Sequence, residues 1–250
     1  MIPLKDDTPV DRIPIVTIVL IAANAIAFLW QVDASALVAA VGSGIDPREI
    51  LAFASGRLQE SALRGGAIPY EILTFHDIEL RDVVQPPFTI LTSMFLHGGI
   101  GHIASNMLFL WIFGKNVEDA LGRSRFVAFY LVSGIAAALV QTVAAAASDD
   151  LLVPMVGASG AIAGILAAYL VLLPRSRVMT LVIFVFFVRI VPVPASFFIG
   201  LWFAMQVAAV IFGGAAGVAV FAHVGGFVAG YLLVKVIGRR PDWRVRRLSW

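Results

Sequence analysis

The sequence predicts an all-α polytopic membrane protein of six membrane-crossing helices, with a short, central fourth span that carries a serine. Three observations predict it. The 250 residues are 60% hydrophobic and only 14% charged, with a mean hydropathy of +0.94, whereas soluble domains carry about 25% charged residues. Six apolar runs approach the ~20 residues that cross a ~30 Å hydrocarbon core. Basic residues alternate between successive connections as an oriented membrane protein requires.

The spans fall at residues 13–31, 88–113, 126–147, 159–173, 194–212 and 216–237. The first follows MIPLKDDTPVDRIP, whose acidic residues do not suit a cleavable signal, so this run is expected to be retained as a helix. The second contains polar interruptions, the third is rich in Ala and Val, and the fourth is short. Between the fourth and fifth lies VMTLVIFVFFVRIVPVP, too short for a comfortable span and ended by prolines. It is expected to be re-entrant or interfacial, with helix and strand both open. The connection 32–87 is the one sizeable extramembrane piece. Its REILAFASGRLQESALRGG mixes apolar and charged residues at loosely helical spacing, as an element lying on the outer leaflet would.

Orientation follows from charge. Lys5 and Arg12 precede span one; Lys115, Arg123 and Arg125 follow span two; Arg175, Arg177 and Arg189 follow span four. The tail adds Lys235, Arg239, Arg240, Arg244, Arg246 and Arg247, while the connections after spans three and five have no Lys or Arg. Six spans with both termini cytoplasmic fit every short connection. A seventh span would put the basic tail outside. The basic C-terminus suits a membrane-facing tail better than nucleic acid, and no nucleic-acid partner is expected. With no cysteine in the chain, disulfides, Cys-based metal sites and a thiol nucleophile are excluded. Neither metal nor cofactor is expected.

Strongly polar residues inside spans are costly and mark function. Span two carries His97, His102 and Asn106 in HGGIGHIASN, span four opens on Ser159 in GASG, and span six carries His223 in AHVGGFVAG. A lone intramembrane His or Asn most often bonds a neighbouring helix. Depth argues for more than that here. Ser159 lies 16 residues before Arg175, and His223 lies 16 before Arg239; at 1.5 Å per residue both sit roughly 24 Å above the basic boundary. His102 comes out at about 20 Å, with Asn106 one turn lower at about 14 Å. Gly160 and Gly164 on span four, and Gly226 and Gly230 on span six, form the small-xxx-small faces that let backbones touch. Contact between them would bring His223 to Ser159.

A serine hydroxyl becomes a nucleophile when a neutral histidine accepts its proton. The acyl-transfer intermediate then needs donors aimed at its oxyanion. Ser159 opens a helix, so its N–H lacks a helical partner, and His102 and Asn106 offer side-chain donors. No carboxylate lies at the depth of His223: Glu118 and Asp119 fall at the cytoplasmic end, Asp149 and Asp150 in the outer connection. The pattern is therefore a Ser–His dyad, with the histidine held by packing. Because span four is too short to cross the core, SDDLLVPMVGA must dip below the outer surface to deliver Ser159, against protein or a water-filled cavity.

The ordered set HGGIGHIASN, GASG and AHVGGFVAG resembles the rhomboid intramembrane serine proteases. The resemblance extends over residues 13–237, including NAIAF in span one and GKNVEDALG after span two. It implies a single rhomboid-like membrane domain over residues 1–250. It also implies Ser159 as nucleophile, His223 as general base, and an oxyanion hole from His102, Asn106 and the Ser159 amide. His97, Gly157, Gly160, Gly164, Gly226, Gly230 and Glu118 would be structural or motif residues, with Glu118 tying the segment after span two. The implied activity is endopeptidase cleavage of transmembrane or juxtamembrane segments of other membrane proteins, favouring small residues at the cut. The implied setting is a lipid bilayer, expected to be a bacterial-type inner membrane. A substrate gate near FFIGLWF (197–203) and a cap at 213–219 are further implications. The alternative is a catalytically silent relative that binds or escorts transmembrane clients. The outer connection departs from some members in lacking a Trp-Arg pair.

Overall fold

The computed structural model describes residues 1–42, 46–78, 84–148, 150–184, 187–212 and 219–243. Among the described residues, three helices are long and apolar enough to cross a membrane: Arg123–Ala145 (α8), Ala195–Phe212 (α10) and Val220–Ile237 (α11). Two shorter apolar helices accompany them, Ile15–Gln31 (α1) and Ser159–Leu172 (α9). Helix α1 shows how such a chain is patterned. It buries Thr17, Asn24 and Gln31, spaced by sevens along one stripe. Ile18, Val19, Ile26 and Leu29 point outward. Polar groups face the bundle and apolar ones face out, the reverse of a water-soluble helix.

Helix α9 is the axis of the bundle. Ten consecutive residues from Gly160 to Tyr169 are buried, against α8 on one side and α11 on the other. Its contact with α11 is backbone to backbone. A methyl group at Gly226 would collide with the Gly160 carbonyl, and one at Gly230 with the Gly164 backbone. The two small-residue pairs read from the sequence thus face each other directly.

The expected second span, 88–113, is broken. Pro86–Ser93 (α5) ends before a non-helical stretch over 94–99, and the chain resumes as Ile100–Phe109 (α6). A π-helical turn at Leu110–Gly114 then leads into Lys115–Leu121 (α7). Gly98 and Gly99 fall in the break, where glycine gives up least. In the outer connection, Ala34–Gly42 (α2), Pro47–Gly65 (α3) and Pro69–Thr74 (α4) are helical. Helix α3 starts on Asp46, whose side chain accepts from the Arg48 N–H at 2.7 Å, with Pro47 in its first turn.

The all-α expectation needs correction. Ile2–Asp6 (β1), Arg177–Phe184 (β2) and Phe187–Pro194 (β3) form an antiparallel sheet in the order β1-β2-β3. The segment after span four is this hairpin. Burial alternates along it: Ser176, Val178 and Thr180 are buried, whereas Arg177 and Ile183 are exposed. Period-two burial is what a strand satisfies and a helix cannot.

Docking of β1 closes one end of the bundle. Asp6 is buried, its Oδ1 2.9 Å from Lys115 Nζ and its Oδ2 accepting from Asn116 Nδ2 (2.7 Å) and Tyr169 Oη (3.0 Å). Burial raises the Asp6 carboxyl above its ordinary range, with Lys115 and the Tyr169 hydroxyl pulling it back. Nearby, Thr8 and Ser176 share a hydroxyl–hydroxyl bond of 2.7 Å. Not all of the basic tail lies free on a membrane surface. Arg240 is buried and donates to the Asp119 carbonyl (2.6 Å), the Asp119 carboxylate (3.1 Å) and Asp242 (2.6 Å). Arg244, Arg246 and Arg247 lie outside the described residues.

Candidate active site

The site forms where α9 and α11 begin. Ser159 is the first residue of α9, and His223 lies in the first turn of α11. Glycine contact between the helices sets the separation of the two side chains. Nε2 of His223 lies 2.8 Å from Ser159 Oγ, hydrogen-bond distance and the reach a general base needs. Helix α11 is itself anchored at this end, where the Ala222 N–H donates to Gln141 Oε1 of α8 at 3.1 Å.

The chain entering Ser159 is non-helical and held by backbone pairing. Ala67 and Met155 exchange hydrogen bonds of 3.0 and 2.9 Å, and the Gly157 N–H donates to the Ser93 carbonyl at 2.8 Å. Such backbone has its polar groups satisfied by protein, the condition for irregular chain at depth. Gly157 is obligatory on two counts. Its φ of +126° lies in the left-handed region, and a Cβ there would stand 2.8 Å from Cε1 and Nε2 of His102. The same Cβ would be 3.6 Å from Ser159 Oγ, so the absent side chain lets the His102 ring and the serine approach one another.

His102 is held from behind. Its Nδ1 accepts from the Gly98 N–H at 3.3 Å, and its ring meets the His97 ring edge-on at 5.1 Å. His97 is fully buried in the α5–α6 break, and its backbone is clamped by Gln31 of α1. The His97 N–H donates to Gln31 Oε1 (2.9 Å), and Gln31 Nε2 donates to the His97 carbonyl (3.3 Å). Asn106 sits one turn beyond His102 on α6, buried. Its Nδ2 has no hydrogen-bond partner among the described residues. A buried unpaired donor costs about 1–3 kcal/mol and calls for an explanation.

A cavity of about 40 Å³ touches the serine, lined by Ser93, Met94, Gly157, Ser159, Ala219 and Ala222 among others. One water needs about 10–15 Å³ of such space, so there is room for water beside the hydroxyl. Glu118 lies apart from this centre. Its carboxylate accepts from the Val16 N–H (3.0 Å), the Thr17 N–H (2.7 Å) and the Thr17 hydroxyl (2.8 Å), capping the N-terminus of α1. Sequence reasoning missed three buried or half-buried glutamines that act here: Gln31, Gln141 and Gln206. The last, on α10, places Oε1 2.8 Å from His223 Nδ1. Each is an amide inside an apolar run, and that was the available signal. The expected cap at 213–219 lies outside the described residues except for Ala219.

Residues 85–240 match the family model of the Rhomboid domain. This chain belongs to the rhomboid family. It is 34% identical to the mitochondrial Rhomboid protein 1 of Saccharomyces cerevisiae, over 68% of this chain and 47% of that protein. It is 39% identical to the mitochondrial presenilin-associated rhomboid-like protein of Mus musculus, over 35% of this chain and 23% of the relative. The Rhomboid protease GluP of Bacillus subtilis is 32% identical over 60% of this chain and 26% of its own length. The rhomboid chain here thus spans about half the length of the yeast relative and about a quarter of the other two.

Proposed function

We propose that this rhomboid is an intramembrane serine endopeptidase that cuts transmembrane or juxtamembrane segments of other membrane proteins with a Ser159–His223 dyad. The observation that carries the reading is the 2.8 Å approach of His223 Nε2 to Ser159 Oγ across a glycine-lined helix contact. Ser159 Oγ attacks the scissile carbonyl while its proton passes to Nε2. The carbonyl oxygen becomes an oxyanion, received by the Ser159 N–H, the His102 ring and Asn106 Nδ2. The unpaired Nδ2 supports this role, since a donor without a ground-state partner is free for charge that appears only in the transition state. The imidazolium then gives its proton to the leaving amine, and an acyl-enzyme forms. Water, deprotonated by the same Nε2, releases the new carboxyl group and restores the serine.

The same reading counts six spans, with α5 to α7 together forming the second and both termini on one side, and sets Ser159 below the opposite surface. The substrate is a transmembrane segment presenting a small side chain at the cut, which suits a cavity of about 40 Å³ lined by Gly and Ala together with Met94, Met155 and Val156. Two of the relatives above carry "mitochondrial" in their names. The expectation of a bacterial-type inner membrane therefore finds no support, and the proposal extends only to an integral membrane setting.

The test is cleavage of a panel of transmembrane segments by the reconstituted protein. Wild type should cut, and Ser159→Ala should not while remaining folded. Cleavage by Ser159→Ala would end the assignment. A folded wild type that binds the segments and cuts none would favour the silent, client-binding alternative.

A further inference from the structure

We propose that Gln206 is the positioning residue for His223: its amide oxygen accepts the Nδ1–H, fixing both the tautomer and the orientation of the base. This rests on the Ser–His reading above and supplies what the dyad lacks, a group behind the histidine. The Oε1···Nδ1 distance is 2.8 Å. An amide oxygen offers only lone pairs, so the ring nitrogen facing it carries the hydrogen. A neutral imidazole has one N–H, which leaves Nε2 bare and directed at Ser159 Oγ, also at 2.8 Å. With the opposite tautomer, Nε2 would carry the proton and could not accept the serine's.

The geometry around the ring supports the assignment. Trp202 lies one helical turn before Gln206 on α10, with its ring centre 5.8 Å from that of His223. One face of α10 thus holds the imidazole by its edge and its side. No carboxylate of the described residues bonds His223, so the amide occupies the place that an aspartate fills in a triad. Its context is otherwise apolar. Gln206 interrupts FFIGLWFAMQVAAVIF, and an amide within such a run is costly unless it is used. Helix α10 buries only Ala195, Phe198 and Ile199, all near its start. Along its middle, the tie to α11 includes Gln206 and Trp202 on His223 and the Phe203–Phe227 stack at 4.1 Å. Three helices therefore meet on one imidazole: α11 carries it, α9 receives its Nε2 and α10 its Nδ1.

The experiment compares Gln206→Met, which keeps length and volume but loses the acceptor, with Gln206→Glu, which restores one. Both are measured beside wild type and Ser159→Ala in the reconstituted full chain. Gln206→Met is expected to lower kcat about 10- to 100-fold, a part of the roughly 10²–10⁴-fold that a positioned base contributes, with KM changed less than about twofold. Gln206→Glu is expected to recover kcat to within about threefold of wild type, as a carboxylate accepting the same N–H would. In histidine-15N-labelled protein, His223 should appear as the Nδ1–H tautomer and lose that preference in Gln206→Met. This readout needs no turnover, and a merely structural residue would not move it. Wild-type kcat in Gln206→Met, no rescue by Glu, or an Nε2–H tautomer in wild type would each overturn the proposal. If Ser159→Ala is inactive and Gln206→Met cuts normally, only this proposal falls. If Ser159→Ala cuts, the Ser–His reading falls, while the tautomer still reports on the Gln206 contact.

Discussion

Each end of α9 carries a polar cluster, buried at the Tyr169 end and half-buried at the Ser159 end, and the two are built on opposite terms. At the Tyr169 end, Asp6 meets Lys115 through one oxygen and Asn116 and Tyr169 through the other, with Thr8 and Ser176 paired beside them. At the Ser159 end, a single chain runs from Ser159 through His223 to Gln206, while Asn106, one turn beyond His102 on α6, buries an Nδ2 that has no partner among the described residues. A cavity adjoins the serine there. A satisfied network rigidifies, whereas an under-satisfied one keeps capacity in reserve. On the proposed reading, one end of the helix holds the fold and the other is prepared for a charge that appears only during the reaction.

Substitutions should separate the two ends cleanly. Ser159→Ala and His223→Ala are expected to lower kcat by about 10⁵–10⁶-fold, the scale on which a nucleophile or its base is lost. Thermal unfolding should stay near wild type in both; a large drop in stability would mean that the pair is structural. Asn106→Ala is the sharper probe of the contrast. It should reduce kcat by about 10²–10³-fold, as loss of one oxyanion donor does. It should also leave stability unchanged or raised, because the side chain it removes has an unpaired buried donor. Loss of both activity and stability would place Asn106 on the structural side.

Asp6→Ala should behave in the reverse sense, costing about 3 kcal/mol of stability by stripping Lys115 and Tyr169 of their buried partner. Turnover per folded molecule should be unchanged. A fall in kcat at full folding would show that the two ends are coupled through α9. The smallest effect is one of pH. Burial raises the Asp6 carboxyl above 3.8 in the fold, so its contribution is fully present below that value and is lost as pH rises through the raised value. Asp6→Asn should flatten this part of the stability profile. An unchanged slope would assign it to other carboxyl groups.

The serine end was largely legible in the sequence. Ser159, His102, Asn106 and His223 stand out because polar groups are scarce and costly in apolar runs. The Gly160–Gly164 and Gly226–Gly230 spacings announced their helix contact. Gln206 stands in an equally apolar run, but it is an amide and not the carboxylate that backs the histidine of a triad. The Tyr169 end was hidden for a different reason. Its cluster joins Asp6 to Tyr169 across 163 residues, and it exists only because β1 docks on β2. That docking depends on reading 177–194 as strands, and short apolar β-branched runs do not separate strand from helix by pattern alone. The break at 94–99 had a local mark in Gly98 and Gly99, outweighed by the apolar residues on either side.

The central claim is that Ser159 is a nucleophile made reactive by His223. Treating the folded, reconstituted protein with a fluorophosphonate and reading intact mass tests it most directly. The expected result is one phosphonyl group per chain, mapped to Ser159, absent in Ser159→Ala and strongly diminished in His223→Ala. Labelling that persists in Ser159→Ala, or that is undiminished in His223→Ala, would contradict the account.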